Sequence, residues 1–396
     1  MAGADDDGGE GGAPAAIAGK GGSGGSAGKA GSGGSGGSSG SAGKAGSGGT
    51  GPVDGCATTT IGASNLPVPT APATPVAKPS GAVGGLTVVN WAGFKGAISY
   101  TFDDSLLSQT THYADLNAVG IKVTFYLNNF NQGNNKIWET AVADGHELGN
   151  HTVHHCRADS TQCVLAVTPF PGVDTEIDDN TTFLMAKAGM KGVYTFAAPY
   201  GDTNWIAPSK SRFLVARGID DGNGILPTTD PNNGNIAWRL PCHISNEGEP
   251  AVPLPEAPQK GGFNLITDAA RANGWWKTIL MHNVDPAVND YGYNPVALKE
   301  AVAAMTYTRD LGDVWADTVV AVGAYWIGQR AIPTTAKTVG SDKVYSWTLP
   351  AHFPPGKYLR VNVTGGKVKQ CGTELTWDDH GYYEINLDAG SVTISP

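Results

Sequence analysis

Ala97-Ile98-Ser99-Tyr100-Thr101-Phe102-Asp103-Asp104 is the stretch on which the fold reading turns. It reads as a short strand that ends on a pair of acids. About 50 residues later comes His151-Thr152-Val153-His154-His155, directly after a second short strand over 147–151. Two imidazoles four apart and one carboxylate make a common ligand set for a divalent metal, and the neighbouring carboxylate is left over as a base. That combination points to a hydrolase in which a metal activates water.

Outward from these two points, short apolar runs alternate with amphipathic segments. Strands are expected over 122–127, 192–196, 213–216, 235–240 and 278–282. Helices are expected over 113–119, 136–144, 181–189, 295–305 and 317–330. Strands alternating with helices predict an α/β fold built on a mostly parallel sheet or barrel. Each suspicious polar cluster falls at the C-terminal end of a predicted strand, where barrel active sites sit. After Arg330 the texture changes. Strands over 343–349, 358–363, 382–387 and 391–394, separated by turns such as Pro354-Pro355-Gly356, predict a small β-sandwich-like domain.

Residues 1–85 are Gly/Ser/Ala/Pro-rich, and Ser-Ala-Gly-Lys-Ala-Gly-Ser-Gly-Gly occurs at both 26–34 and 41–49. Such a tract has too little apolar surface to offset its ordering entropy and is expected to be a disordered tether. The organisation expected is therefore a tether over 1–85, a catalytic domain over 86–330 and a β-domain over 331–396. The net charge is −10, of which four Lys and five acids fall in the tether. An acidic folded part argues against nucleic acid or an anionic membrane surface as partner. No apolar run reaches the ~18 residues of a membrane span. Met1-Ala2-Gly3-Ala4-Asp5 is neither basic nor apolar, so it is not a signal peptide. A tether of this kind suits a domain spaced from a lipid anchor, and we expect the natural start to lie elsewhere and the protein to be extracellular or at the cell surface. Among five cysteines, Cys156 and Cys163 bracket a short polar loop directly after the His cluster. A disulfide there would pin that loop beside the site and would favour an oxidising compartment.

The ordered motifs resemble those of the polysaccharide deacetylases, the NodB-like carbohydrate esterases of family four. Thr101-Phe102-Asp103-Asp104 is similar to their first motif and His151-Thr152-Val153-His154-His155 to their second. Pro199-Tyr200 is similar to the end of the third, and Leu280-Met281-His282 to a late Leu-x-His motif. The resemblance covers roughly residues 90–330. It implies a distorted (β/α) barrel of the NodB type and metal-dependent removal of acetyl groups from a carbohydrate. It also implies roles. Asp103 would be the general base; Asp104, His151 and His155 the ligands of a divalent metal, Zn2+ first and Co2+ or Ni2+ as substitutes. The Tyr200 backbone N–H would be an oxyanion donor, His282 the general acid, Leu280 a lining of the acetyl-methyl pocket, and Pro199 a substrate-binding residue.

Two departures stand out. The third motif of the family begins with an Arg that pairs with the base, and here that position is Ala197. Arg217 is one candidate for the missing cation. The element that orients the catalytic His is not evident either; Asp220, Asp221 and Asp285 are candidates. Trp205 and one of Tyr291 or Tyr293 are candidate sugar platforms. The leading expectation is a monomeric N-deacetylase acting on a β-linked N-acetylglucosamine polymer: chitin, poly-N-acetylglucosamine or peptidoglycan. The alternatives are an O-acetyl xylan esterase and a carbohydrate-binding protein with a decayed site. The β-domain is expected to be structural, with Trp347, Trp377 and Tyr382 as its candidate sugar contacts otherwise.

Overall fold

The computed structural model describes residues 56, 64–70, 72, 74–245, 262–288 and 293–396. Most of the tract expected as a tether, and Tyr291, lie outside the described residues. The chain lays down β1 (Leu86–Val88) and then β2 (Gly96–Asp103), whose eight residues are all buried. Gly-Ala-Ile-Ser-Tyr-Thr-Phe supplies an apolar or hydroxyl group at every step before Asp103, as a strand covered on both faces requires.

Six more strands follow: β3 (Thr124–Leu127), β4 (Glu147–Asn150), β5 (Thr195–Ala197), β6 (Val215–Arg217), β7 (Cys242–Ile244) and β8 (Trp276–Met281). With β2 they pair in parallel in the order β6-β5-β4-β3-β2-β8-β7. The two ends of this sheet come together. Leu240 bridges Arg217 in parallel, its N–H donates to Ala216 O at 3.0 Å, and Cys242 N–H donates to Asp220 O at 3.0 Å. The result is a nearly closed, distorted barrel of the kind expected. A further strand, β9 (Val314–Ala316), pairs with the start of β2.

The helices are α1 (Leu107–Thr111), α2 (Tyr113–Ala118), α3 (Ile137–Ala143), α4 (Val173–Met185), α5 (Ile206–Lys210), α6 (Gly262–Asn273), α7 (Leu298–Asp310) and α8 (Val319–Ala331). Two expectations shift. The helix expected over 181–189 begins at Val173, just past Pro171 and Gly172, with Asp174 and Glu176 in its positive first turn. The strand expected over 235–240 is instead a 3-10 turn, Asn233–Trp238, because Gly234 and Asn235 take left-handed φ of 58° and 60°. Strand pairing resumes only at Leu240.

The C-terminal strands are β10 (Lys337–Val339), β11 (Asp342–Ser346), β12 (Tyr358–Val363), β13 (Lys367–Gln370), β14 (Thr373–Glu374), β15 (Tyr383–Asn386) and β16 (Ser391–Ser395). They form two antiparallel sheets, β10-β11-β16-β13-β14 and β12-β15, the second extended by β1 from the other end of the chain. Val361, Ile385, Val392 and Ile394 join Trp276 and Trp326 in one apolar cluster, so the core of the sheets is continuous with that of the barrel through α8. Trp347 and Tyr382 are buried, and Trp347 Nε1 donates to Leu387 O at 2.8 Å. Neither offers a free face to a sugar. Part of the Pro-rich spacer is docked rather than free: the buried Arg360 guanidinium donates to Pro67 O at 2.8 Å, and Ser64 donates twice to Glu384.

Candidate active site

Because every barrel strand runs the same way, their C-terminal ends meet at one mouth. β2 delivers Asp103 and Asp104, β4 leads into His151, and β5 leads into Pro199 and Tyr200. β6 ends on Arg217, and β8 leads into His282. Register fixes the neighbours. Phe102 is paired with Met281, so His282 follows beside Asp103. Asn150 is paired with Phe196, so His151 lies beside Ala197.

Asp104, His151 and His155 converge, with one ligand atom from each lying within 4.8 Å of the others. Asp104 Oδ1 stands 3.4 Å from His151 Nε2 and 3.5 Å from His155 Nε2. Zinc ligands at about 2.0–2.1 Å in a tetrahedron are separated from one another by roughly 3.4 Å, so the spacing suits such an ion. Asp104 Oδ1 and His151 Nε2 are buried with no hydrogen-bond partner among the described residues, which is costly for polar atoms unless something else is bound. The residues present therefore fit a divalent metal.

Electrostatics agree. Burial pushes the His155 imidazole down to about 4 against the pull of Asp104, so at neutral pH its ring is neutral and has a lone pair to give. Burial alone would raise Asp104, yet His151, His155 and His282 hold it well below the usual carboxylate range. Burial would depress His151, but Asp103 and Asp104 raise it instead, showing that this point favours positive charge. His151 Nδ1–H donates to Ala197 O at 2.8 Å, which fixes the tautomer and turns Nε2 to the cluster. His154 is turned elsewhere: its Nδ1 lies 2.6 Å from Glu176 Oε1.

The loop carrying the histidines is braced from below. Glu176, fully buried, accepts the N–H groups of Val153 and His154 at 3.1 and 2.9 Å. Asn150 Oδ1 accepts Thr152 N–H, and Thr152 Oγ1 accepts His155 N–H. Gln109, also fully buried, donates to the carbonyls of both Asp103 and His282 and so ties the ends of β2 and β8 together. The bracing holds strained backbone. Asp104, Ser105, Thr152, His155 and Tyr200 all have left-handed φ, between 50° and 76°. Each such residue costs on the order of 1–3 kcal/mol, and such strain gathers at functional sites. The expected Cys156–Cys163 disulfide is present and closes the loop that follows. A second disulfide, Cys56–Cys371, was not expected.

The cation absent at position 197 is supplied from the next strand. Arg217 is the register partner of Ala197, is fully buried, and places Nη2 on Asp103 Oδ2. Nη1 donates to Gly218 O at 3.0 Å, and the guanidinium lies over the Tyr126 ring at 5.3 Å. Gly149 makes room for that ring: a Cβ there would sit 2.4 Å from two Tyr126 ring carbons. Burial opposes the Arg217 charge, and Asp103 more than restores it. Asp103 Oδ1 has no partner among the described residues.

His282 has no comparable support. Asp220 pairs with Arg239, Asp221 with His243 and Lys277, and Asp285 with His112. None of the three expected candidates orients it, and its buried Nδ1 has no partner among the described residues. Burial pushes the His282 imidazole down, against the pull of Asp104 and Asp103. Tyr200 lays its ring against His155 at 4.6 Å, Pro199 and Leu280 are buried, and Tyr293 stands exposed with its ring 5.8 Å from His282. Trp205 must be corrected: it is 1% exposed and packs on Phe196 at 5.7 Å, so it belongs to the core and offers no platform to a sugar.

Residues 93–214 match the family model for polysaccharide deacetylase. Over these residues the chain is similar to that family. The matched stretch holds Asp103, Asp104, His151, His155 and Tyr200, and ends before Arg217 and His282. No curated protein matches the chain in sequence. Among solved structures, similarity extends to a protein assigned as a polysaccharide deacetylase from Mycobacterium smegmatis, at 16% identity over 65% of this chain and 99% of that one, with a TM-score of 0.41. A peptidoglycan deacetylase from Bacillus subtilis is 18% identical over 57% of this chain and 89% of its own, with a TM-score of 0.33. A family 4 carbohydrate esterase from Streptomyces lividans is 19% identical over 56% and 92%, also with a TM-score of 0.33.

Proposed function

We propose that this protein is a metal-dependent hydrolase that removes N-acetyl groups from a β-linked N-acetylglucosamine polymer: chitin, poly-N-acetylglucosamine or peptidoglycan. The observation that carries the reading is the convergence of Asp104, His151 and His155 beside Asp103 and His282 at one barrel mouth. Asp104, His151 and His155 would hold the ion, and two nitrogens with one oxygen suit Zn2+ ahead of Co2+ or Ni2+. Bound there, the ion would supply Lewis acidity toward water and the acetyl carbonyl.

The chain's own residues supply the rest. Asp103 has one oxygen engaged by Arg217 and the other free to take a proton. Arg217 holds that carboxylate aimed. The Tyr200 N–H, on a turn held in a left-handed conformation, is the donor for the oxygen on which negative charge develops. His282 returns a proton to the departing nitrogen. Leu280, buried at the end of β8, lines the space for the acetyl methyl, and buried Pro199 is a further substrate contact. Tyr293 is the one described aromatic of the expected pair that stands open to a sugar face. Two disulfides support an oxidising, extracellular or cell-surface setting. Among the described residues no helix is long and apolar enough to cross a membrane.

One observation favours a second reading, O-acetyl esterase. A sugar alkoxide leaves more readily than an amine and needs less help from an acid, and His282 has no carboxylate behind it among the described residues. Mass spectrometry of products from N-acetylglucosamine oligomers and acetylated xylan, with zinc and with chelator, separates the readings. Acetate from the amino sugar supports the first. Acetate from xylan alone supports the second. Binding without acetate release or metal dependence would sink both and leave a sugar-binding protein.

A further inference from the structure

Eight arginines fall among the described residues, and six of them pair with a carboxylate: Arg212, Arg217, Arg239, Arg271, Arg309 and Arg360. Arg157 and Arg330 do not. In this chain of net charge −10, Arg157 stands two residues past His155.

Its position is built. Arg157 N–H donates to Gln162 O at 2.7 Å across the loop closed by Cys156–Cys163. Ala158 N–H donates to Asp202 Oδ2 at 3.0 Å, which fastens that loop to the Pro199–Gly201 turn. The guanidinium carbon lies 5.0 Å from the centre of the Tyr200 ring, whose other neighbour is the His155 ring. Only Nε is used, on Gln162 Oε1 at 3.3 Å; Nη1 and Nη2 have no hydrogen bond among the described residues. The nearby acids take their hydrogen bonds from neutral donors, and Asp159 feels the Arg157 charge without bonding it. Asp159 accepts from Thr161 twice, and Asp202 from Ala158 and Asn204.

A guanidinium held over an aromatic ring, with its two terminal nitrogens without hydrogen bonds among the described residues, presents the fork that carboxylates fit. Because the ring, the disulfide and the backbone bonds fix it in advance, little ordering is lost when an anion arrives. We propose that Arg157 reads a carboxylate on the glycan beside the acetylated sugar, so that the preferred substrate is an acidic acetylated glycan rather than a neutral one. This rests on the deacetylase reading above, with Arg157 as a specificity residue of the same mouth.

The test uses the full chain and one acetylated glycan in two forms, with free carboxylates on alternate sugars and with the same carboxyls converted to methyl amides. A charge-assisted fork at a half-exposed position should give the wild type about a tenfold higher kcat/KM on the carboxylate form, expressed mainly in KM and weakened by salt. Arg157→Gln should bring the ratio of the two forms to about one, and Arg157→Lys should fall between. A wild type that treats both forms alike overturns the proposal without any variant, and so does an Arg157→Gln protein with the wild-type ratio. If neither form releases acetate, the deacetylase reading fails, and calorimetric binding of the two forms still decides on Arg157. About tenfold weaker binding of the carboxylate form by Arg157→Gln supports the proposal; equal binding refutes it.

Discussion

Replacing Arg217 with Ala tests the central electrostatic arrangement of the site. Both members of the Arg217–Asp103 pair are almost wholly buried, at 0% and 2% exposure. Two unit charges about 4 Å apart at an effective dielectric near 20 attract by about 4 kcal/mol. Removing one partner of a buried pair costs about 3–5 kcal/mol of stability, because the other charge is left uncompensated. The same loss acts on the base. With the fork gone the Asp103 carboxylate is no longer aimed, and misplacing a catalytic group by about 1 Å costs about a hundredfold, so kcat/KM for acetate release should fall by about two orders of magnitude. Arg217→Lys, which keeps the charge but not the fork, should recover part of the rate. The strand register offers a sharper check. Ala197 and Arg217 are paired on adjacent strands, so the double variant Ala197→Arg/Arg217→Ala returns the cation to the position that the family motif gives it. It should outperform Arg217→Ala by at least about tenfold. Activity would be followed by acetate release and folding by thermal denaturation. An Arg217→Ala protein that stays folded and keeps kcat/KM within about threefold of wild type would refute the assignment.

The remaining predictions concern the metal, the barrel wall and acid stability. His151→Ala and His155→Ala should each lower zinc affinity in equilibrium dialysis by at least about a hundredfold, while His154→Ala should keep most of it, because His154 faces Glu176. Gly149→Ala drives a methyl into the Tyr126 ring and should cost about 1–3 kcal/mol in denaturant unfolding, with weaker metal binding because His151 lies two residues on. His146 is buried with Nδ1 accepting Val123 N–H at 3.1 Å, and burial, then Lys122, pushes its folded-state value to about 4 from the ordinary 6.5. The unfolded chain therefore binds the extra proton first. Stability from this group is whole above about pH 6.5 and is lost as pH falls toward 4, by at most about 3 kcal/mol. His146→Gln should flatten that part of the stability profile; an unchanged slope between pH 6.5 and 4 would show that His146 is not its source.

The barrel was legible because its strands are short apolar runs separated by helices, and period and punctuation are local properties. What failed was also local in cause but hidden from pattern. The apolar residues at 236–238 look like strand, yet Gly234 and Asn235 take left-handed conformations and curl the segment into a turn. The helix Gly262–Asn273 was not read from the sequence; its buried face mixes polar Asn264 and Thr267 with Phe263 and Ala270. The docking of Ser64 to Pro67 on Arg360 and Glu384 joins residues about 300 apart, and no composition rule reaches that far. Trp205 was misread for a related reason. Closeness to a motif along the chain says nothing about which way a ring points, and this one points into the Phe196–Phe213 stack.

The site divides along the same line. Asp103, Asp104, His151 and His282 were visible because each lies at or just past the end of a predicted strand, and His155 because it stands four residues after His151; parallel strands bring their ends to one mouth whatever the details of closure. The support for Asp103 was visible only as a candidate, Arg217, because its reach depends on register across the barrel. An Arg at 197 and an Arg at 217 are 20 residues apart in sequence but one strand spacing, about 4.8 Å, apart in space. A side chain as long as arginine covers that difference, so the requirement on the fold is a cation at that height on either strand rather than at one position. The other side of the exchange follows from it. The small, buried Ala197 side chain leaves the barrel interior open for Arg217 to reach Asp103, while the Ala197 backbone carbonyl takes the His151 Nδ1–H as that of any residue there could. Reading Ala197 as decay treats the two positions separately; the paired strands make them one.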